Sequence, residues 1–253
     1  MSWVLLRGLT REARHWGSFP GQLSTALRAT PAILLDLPGN GAFHRQPSAV
    51  SVQAMVEFAR SQLRAQGQQP PWSLLAMSLG GMVATDWAQR YPHEVLRLVL
   101  INTSMQPFSS ATERLRHGRW LDTWRSLALL AWHWSQIDKA ERLIHRLTCQ
   151  LTSTRQEDLA AWSQIRRSAP VSAANAWRQL WAAARFSAAA AAPACPTLLL
   201  SASGDQLVNP CCSQRVATAW QAAHHIHPWA GHDLPHDDAD WACRRIADWA
   251  GGR

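Results

Sequence analysis

Short apolar runs that end in polar or glycine-containing turns recur along this chain of 253 residues, 47% of which are hydrophobic. Runs of this kind predict buried strands, and segments with apolar residues at helical spacing lie between several of them. Alternating strands and helices predict one α/β domain, a mostly parallel sheet with helices on both faces, and the chain is long enough to bury one substantial core. The runs occupy residues 3–6, 33–35, 72–77, 96–101 and 197–200.

The run 72–77 leads into a turn at Ser78, which is followed by the glycine pair 80–81. Residues 82–90 then have the apolar spacing of a helix. A strand, a serine in a sharp turn and a helix form the context of a nucleophile elbow, where glycines let neighbouring backbone approach closely. Ala76 occupies the first position of the G-x-S-x-G motif and adds one methyl group to it. The pattern predicts that Ser78 is a nucleophile.

Two fragments farther along the chain offer the partners that a serine nucleophile needs. Asp205 lies in a polar turn after the run 197–200, and His232 lies in a Gly-His loop before the last amphipathic segment. Taken alone, an aspartate after a strand is usually a helix cap and a lone histidine is usually a surface residue. The order serine, aspartate, histidine is nevertheless the order of the triad in α/β-hydrolases. We therefore interpret Ser78, Asp205 and His232 as a catalytic triad.

These motifs make the chain resemble the α/β-hydrolase superfamily over essentially its whole length. The segment 3–9 resembles the strand and turn that supply half of the family's oxyanion hole, and the segment 33–41 resembles the next strand with its D-x-x-G-x-G turn. The resemblance implies that the backbone N–H groups of Leu9 and Leu79 hold the oxyanion. Arg7 stands where the family carries a histidine, but the N–H donors do not depend on that side chain.

Three other polar residues compete for roles at this site. Some family members carry the acid after the strand that follows the elbow helix, where this chain has Asn102. An amide cannot stabilise an imidazolium by charge, so Asp205 is the preferred acid. Asp36 precedes the serine, and we expect a structural role for it. Asp233 adjoins the histidine too closely in sequence to face the same ring, and we interpret it as a loop residue.

Between residues 105 and 192 the alternation of strands and helices gives way to helical patterns rich in tryptophan. In this superfamily a helical insertion at this place forms a cap over the serine. The resemblance thus implies a core of residues 1–104 and 193–253 with a cap of residues 105–192 inserted in it. Most cap tryptophans are expected to pack the helices together. The residues predicted to line the substrate pocket are Trp16, Trp120 and Trp124.

The positive charge of the chain is concentrated in the predicted cap. The net charge is +8, the cap supplies six of these eight charges, and Lys139 is the single lysine among 25 basic residues. A basic cap could steer an acidic carrier protein or an anionic substrate toward the site. Alternatively, the arginines simply solvate the cap helices. Nucleic-acid binding is not favoured, because the chain has no recognisable binding motif and no basic-aromatic platform.

Cysteine and histidine spacings predict no disulfide, no metal and no cofactor. The five cysteines lack paired C-x-x-C spacing and are interpreted as reduced thiols. His224 and His225 fall in a strand and point to opposite faces, while the spacing of His232 and His236 matches no metallohydrolase signature. No run reaches the ~18 apolar residues of a membrane span. The N-terminus enters a strand without a secretory signal, so we expect a cytoplasmic location.

The resemblance implies a serine hydrolase that cleaves a carboxylic ester or thioester of an apolar acyl group through an acyl-enzyme. Within the superfamily, the chain most resembles the esterases that act on the methyl ester of pimeloyl-acyl-carrier protein. The resemblance lies in its length, its short N-terminal entry and its arginine-bearing cap. C–C bond hydrolases and acyltransferases use the same triad. Ala76 and Arg7, which depart from the family pattern, leave open a noncatalytic scaffold that binds an acidic protein through the cap.

Overall fold

The computed structural model describes residues 2–29, 31–114 and 120–252, and it describes residues 111, 112, 120–124 and 127 by their backbone only. Six strands form one sheet in the order β2-β1-β3-β4-β5-β6, and every neighbouring pair is parallel. The predicted parallel α/β sheet is therefore confirmed. The strands are β1 Trp3–Leu6, β2 Ile33–Leu35, β3 Trp72–Met77, β4 Val95–Ile101, β5 Thr197–Ala202 and β6 Ala223–His227.

Helices cover both faces of this sheet because the strand residues are apolar in both directions. Leu75 and Met77 of β3 face a core cluster that includes Phe19, whereas Leu74 faces a second cluster that includes Trp87. Successive side chains of a strand point to opposite faces, so a continuously apolar strand needs cover on each side. The helices that supply this cover are α1 Phe19–Leu27 and α11 Ala239–Ala250 on one face, and α2 Val52–Ala65, α3 Leu79–Arg90 and α9 Cys211–Trp220 on the other.

Between β4 and β5 the described chain forms helices and contributes no strand to the sheet. These helices are α4 Ala111–Arg114, α5 Trp120–Trp132, α6 Ile137–Thr148, α7 Arg155–Ser168 and α8 Ala173–Arg185, and a short helix α10 Leu234–Asp237 follows β6. This helical stretch lies inside the segment predicted to be the cap. The boundaries of the cap stay a prediction, and we keep the word cap for helices α4 to α8.

A buried ion pair joins the cap to the turn after β1, and a second pair lies within the cap. Glu141 of α6 is 1% exposed and accepts hydrogen bonds from Arg11 at 2.7 Å and from Arg166 at 3.0 Å. The guanidinium of Arg11 lies over the ring of Trp162, and that of Arg166 lies over the ring of Trp134. A buried carboxylate needs such charged partners, because an unpaired charge is costly away from water. The ion pair between Arg11 and Glu141 thus links the cap to the core.

The expectation that most cap tryptophans pack the helices together is wrong for three of them. Trp162 is 5% exposed and fits the expectation. Trp132, Trp177 and Trp181 are 79%, 65% and 56% exposed. Helical spacing places a residue on a face of a helix but does not show whether another element covers that face. For this reason the burial of these tryptophans could not be predicted from the sequence. No described helix is long and apolar enough to cross a membrane.

Candidate active site

Ser78 occupies the turn between β3 and α3 in a strained backbone conformation. Its φ is 51° and its ψ is −119°, a region that residues with a side chain rarely adopt. The neighbouring strand holds this conformation, because the N–H of Ser78 donates to Ile101 O at 3.0 Å. Thr103 Oγ1 donates to the carbonyl of Ser78 at 2.8 Å. The conformation is that of a nucleophile elbow, as the motif predicts.

Two glycines let other backbone lie against the elbow. A Cβ added to Gly80 would stand 2.5 Å from the carbonyl oxygen of Arg7 and 2.6 Å from that of Leu6. A Cβ added to Gly8 would stand 3.0 Å from Cβ of Ser78. The first turn of α3 therefore packs directly on the end of β1, and the turn after β1 passes beside the serine.

This packing brings the two predicted oxyanion donors to the neighbourhood of Ser78. Leu79 begins α3, and the first N–H groups of a helix have no acceptor within the helix. Leu9 follows Gly8, and the next residue, Thr10, has a φ of 58° and donates its N–H to Gln179 Oε1 at 2.8 Å. Gln179 belongs to α8, so a cap helix holds the loop that carries Leu9. The oxyanion role of Leu9 and Leu79 stays a prediction.

Asp205, in the loop after β5, and His232, in the loop after β6, are in contact. His232 Nδ1 lies 2.7 Å from Asp205 Oδ2, and both side chains are buried. The second carboxylate oxygen of Asp205 accepts the N–H groups of Leu207 at 2.8 Å and Val208 at 2.9 Å. These two bonds orient the carboxylate, which leaves Nε2 of His232 as the ring nitrogen available for proton transfer. Among the described contacts Ser78 Oγ makes no hydrogen bond, and catalytic contacts of this kind commonly tighten only when substrate binds.

Asn102 links the histidine loop to the elbow. Its side-chain amide donates to the carbonyls of Gly231 at 3.1 Å and His232 at 2.8 Å. The residue before it, Ile101, accepts the N–H of Ser78. Asn102 is excluded as the catalytic acid because it has no carboxylate. Its amide can nevertheless donate hydrogen bonds to backbone carbonyls, and it does so here. The position that carries the acid in some relatives here holds the loop that contains His232.

The expectation that Asp233 is merely a loop residue is wrong, because its side chain forms a buried ion pair. Its carboxylate forms a two-bonded pair with the guanidinium of Arg7, at 3.0 and 2.6 Å, and both side chains are 4% exposed. The N–H of Asp233 also donates to Thr148 O at 2.8 Å. Arg7 lies at the end of an apolar strand, and a buried guanidinium there requires an acidic partner. That requirement is the signal that could have identified the pair from the sequence.

The environment of His232 favours its charged form. Burial lowers the pKa of His232, but the carboxylate of Asp205, by charge and by its hydrogen bond, together with the charge of Asp233, more than offsets this. The pKa of His232 is therefore raised above 6.5. The pair Asp205 and His232 is arranged to stabilise an imidazolium.

The other predicted residues have simpler surroundings. Asp36 accepts N–H groups from Ala13 at 2.7 Å and Ala42 at 2.9 Å, a structural role as expected. Trp16 is 4% exposed, stacks on Phe19 and lies under the Arg7 guanidinium. Its contact with substrate stays a prediction. The side chains of the other two predicted pocket residues, Trp120 and Trp124, lie outside the described residues.

Known proteins share this fold and parts of this sequence. The family model of the alpha/beta hydrolase fold matches residues 13–239. RutD of Klebsiella pneumoniae (strain 342), whose name describes a carbamate hydrolase, is 29% identical over 206 residues, 77% of this chain and 71% of that protein. A pimeloyl-[acyl-carrier protein] methyl ester esterase of Aromatoleum aromaticum (strain DSM 19018 / LMG 30748 / EbN1) is 36% identical over 102 residues, 40% of this chain and 36% of that protein.

A solved structure of a thermophilic esterase from Thermogutta terrifontis has a TM-score of 0.73 with 20% identity, covering 99% of this chain and 89% of that one. At this identity the likeness shows the fold alone. The family match extends over most of the chain, from the turn after β1 to α11. The chain belongs to the α/β-hydrolase fold family, and the prediction of a hydrolase is confirmed at the level of that family.

Proposed function

We propose that the protein is a serine hydrolase that cleaves a carboxylic ester or thioester of an apolar acyl group. The observation that carries the proposal is the oriented hydrogen bond between Asp205 and His232, joined through Asn102 to the elbow that presents Ser78. A serine hydroxyl is a weak nucleophile at neutral pH, and a base oriented by a carboxylate activates it.

The reaction would proceed in two halves. Ser78 Oγ attacks the substrate carbonyl carbon while Nε2 of neutral His232 accepts the hydroxyl proton, and the carbonyl oxygen becomes an oxyanion held by the N–H groups of Leu9 and Leu79. The imidazolium then gives its proton to the departing alcohol or thiol, which leaves an acyl-enzyme. Water attacks this acyl group with His232 again accepting a proton, and the acid product departs from a regenerated Ser78.

The two named relatives support an acyl carbonyl as the reacting group without selecting one leaving group. One name describes a carbamate hydrolase and the other a methyl ester esterase. Carbamates and esters both carry the carbonyl carbon that a serine attacks. The Ser78 side chain also separates this site from dehalogenase and epoxide-hydrolase relatives, which carry aspartate at the elbow.

Labelling with a fluorophosphonate probe tests the proposal directly. We expect wild-type protein to form a covalent adduct at Ser78, identified by mass spectrometry of the modified peptide. Ser78→Ala should abolish the adduct. His232→Ala should slow its formation by at least about 10³-fold, because the hydroxyl then lacks its base. Hydrolysis of a panel of aryl esters, thioesters and carbamates should fall in parallel.

Two surface substitutions provide matched controls. Ser61 and His93 are exposed and lie outside the site, so Ser61→Ala and His93→Ala should label at the wild-type rate. Folded wild-type protein that forms no adduct, or an adduct at Ser78 that is indifferent to His232→Ala, would overturn the proposal. The first outcome favours the noncatalytic scaffold, whose acidic partner would then be sought at the cap.

A further inference from the structure

We propose that His145, Cys149 and His236, together with Asp158, form a binding site for a divalent metal of the zinc type at the junction between the cap and the loop of His232. One ligand atom from each of His145, Cys149 and His236 lies within 4.8 Å of the other two. Asp158 Oδ2 lies 3.3 Å from His145 Nε2 and 3.1 Å from His236 Nε2. The proposal concerns a site that the hydrolase triad does not use.

The donor set and its dimensions suit zinc. Zinc prefers thiolate, imidazole and carboxylate ligands in a tetrahedron, with Zn–S near ~2.3 Å and Zn–N near ~2.1 Å. In such a tetrahedron the ligand atoms lie roughly 3.3–3.7 Å apart. The cluster is therefore about an ångström too wide at its longest separation, a difference that rotation of the side chains can close. With a thiolate from Cys149 and the carboxylate of Asp158, a divalent ion would be neutralised.

The four residues come from three separate parts of the chain. His145 lies in α6, and Cys149 is the first residue after the end of this helix. Asp158 lies in α7, and His236 lies in α10. Such convergence is produced by the tertiary structure rather than by a local sequence motif. It explains why the spacing of His232 and His236 alone predicts no metal site.

The backbone around the cluster is already fixed. Asp237, beside His236, accepts the N–H groups of Gln150 at 2.9 Å and Leu151 at 2.9 Å, which directly follow Cys149. Thr148, on the other side of Cys149, accepts the N–H of Asp233 at 2.8 Å. These bonds hold the end of α6 against the histidine loop. A preorganised backbone lowers the cost of assembling ligands around an ion.

The cluster lies beside an apolar ring on one side and is partly accessible to solvent on the other. The ring of Trp162 lies 5.3 Å from the rings of both His145 and His236, centroid to centroid. His145 and Cys149 are buried, whereas the side chains of His236 and Asp158 are 18% and 14% exposed. An ion could enter past the two partly exposed ligands. On binding, the thiol of Cys149 would lose its proton to solvent and its sulfur would bond to the metal.

Cobalt substitution tests this site by a readout that does not depend on catalysis. Full-length protein, treated with a chelator and dialysed, is titrated with Co²⁺ under reducing conditions. We expect the visible bands of four-coordinate cobalt together with a near-ultraviolet sulfur-to-metal charge-transfer band, and displacement of both by one equivalent of Zn²⁺. Competition with a chromophoric chelator then gives the Zn²⁺ affinity.

Substitutions in the cluster should remove these signals selectively. Cys149→Ser should abolish the charge-transfer band, and His236→Gln should weaken Zn²⁺ binding by at least about 100-fold, since even the loss of an outer partner costs 10–100-fold. His236 is partly exposed, so His236→Gln remains informative if Cys149→Ser fails to fold, as judged by circular dichroism. Cys195→Ser and His93→Gln, outside the cluster, should bind as wild type does.

Absence of the charge-transfer band in folded wild-type protein would overturn the proposal. So would Zn²⁺ binding that is unchanged in both cluster variants, because the metal would then sit on other surface histidines. In either case Asp158 serves as a shared hydrogen-bond partner of the two imidazoles and of Thr154. The result is independent of fluorophosphonate labelling at Ser78, so the metal site and the proposed hydrolase activity can fail separately.

Discussion

At the scale of single residues, His232, the proposed base, is held from several directions. Asp205 binds its ring, and Asn102 binds its backbone carbonyl. The next residue, Asp233, is paired with buried Arg7 at the end of β1. Groups fixed in this way need little reorganisation when charge develops on the ring, which is how preorganised polar sites lower a barrier. In the proposed mechanism Arg7 and Asp233 are therefore positioning residues, since they act through the loop that carries His232.

The pKa of His232 leads to a prediction about pH. Because the reaction needs neutral His232, kcat/KM for an aryl ester should rise with pH through an apparent pKa above 6.5. In Asp205→Asn, burial still lowers the pKa while the raising carboxylate is gone, so the rise should move to lower pH. The plateau should fall by about 10⁴-fold, because an amide neither holds the ring in the tautomer that accepts the proton nor stabilises the imidazolium by charge. Steady-state pH profiles of both proteins measure the shift.

The exposed Asp240 provides the matched control, and Asp240→Asn should keep the wild-type profile. A rise of kcat/KM at the same pH in wild type and Asp205→Asn would contradict the assigned pair.

The raised pKa of His232 also affects the stability of the fold, and in the direction opposite to its effect on activity. Its stabilisation of the folded state is fully present below the unfolded pKa and is lost as pH rises through the folded value, so the neutral, active form of His232 is the less stabilised one.

At the scale of elements, the site lies where neighbouring parallel strands end. Ser78 follows β3, Asn102 follows β4 and Asp205 follows β5, while Arg7 follows β1. Pairing within the sheet makes these strand ends neighbours, and the first turn of α3 packs on the end of β1 because Gly80 has no side chain. Open α/β sheets bind ligands at this carboxyl edge.

Gly80→Ala tests the close packing of α3 on β1. The added methyl would press on the carbonyl oxygens of Leu6 and Arg7, which cannot move independently of the turn that carries Leu9, so we expect a loss of about 1–3 kcal/mol in the free energy of unfolding. Fluorophosphonate labelling of Ser78 should also slow. Urea denaturation and labelling rates measure the two effects.

Gly21 of α1 is the matched control, since a Cβ there would meet nothing within 4 Å. Gly21→Ala should leave labelling unchanged and keep or raise stability by up to about 1 kcal/mol, as expected for alanine in a helix. Equal stability of the Gly80→Ala and Gly21→Ala proteins would show that α3 does not need the close approach.

At the scale of the whole molecule, the charge of the cap is divided between structural and exposed arginines. Arg166 is buried in its pair with Glu141, and Arg114 donates to the carbonyls of Ala183 and Phe186. The other cap arginines that the structure describes are exposed and carry positive charge at the surface. A surface of one sign attracts partners of the other sign and loses that attraction as salt rises.

If the proposed hydrolase acts on a carrier-bound ester, this surface is where an acidic carrier would dock. The triple charge reversal of the exposed residues Arg142, Arg146 and Arg155 to Glu should raise KM for a carrier-bound ester at least about tenfold at low salt, while kcat/KM for a small aryl ester stays unchanged. Reversal of the exposed residues Arg45, Arg244 and Arg245 changes the net charge equally and is the control. Equal losses on both substrates, or in both triple variants, would exclude a carrier-specific surface.

The kinds of element and their order could be predicted from the amino-acid sequence, which also led to the proposed elbow and its partners. This was possible because apolar periodicity and glycine turns are local, and because the carboxyl ends of parallel strands meet at one edge. The pairing of Arg7 with Asp233 and the clamp of Asn102 on the His232 loop joined residues more than a hundred positions apart. The cluster of His145, Cys149 and His236 likewise depends on the end of α6 meeting the loop that leads into α10. Such contacts depend on which strand ends and helices become neighbours in space, and no local pattern records that, so only the tertiary structure decided them.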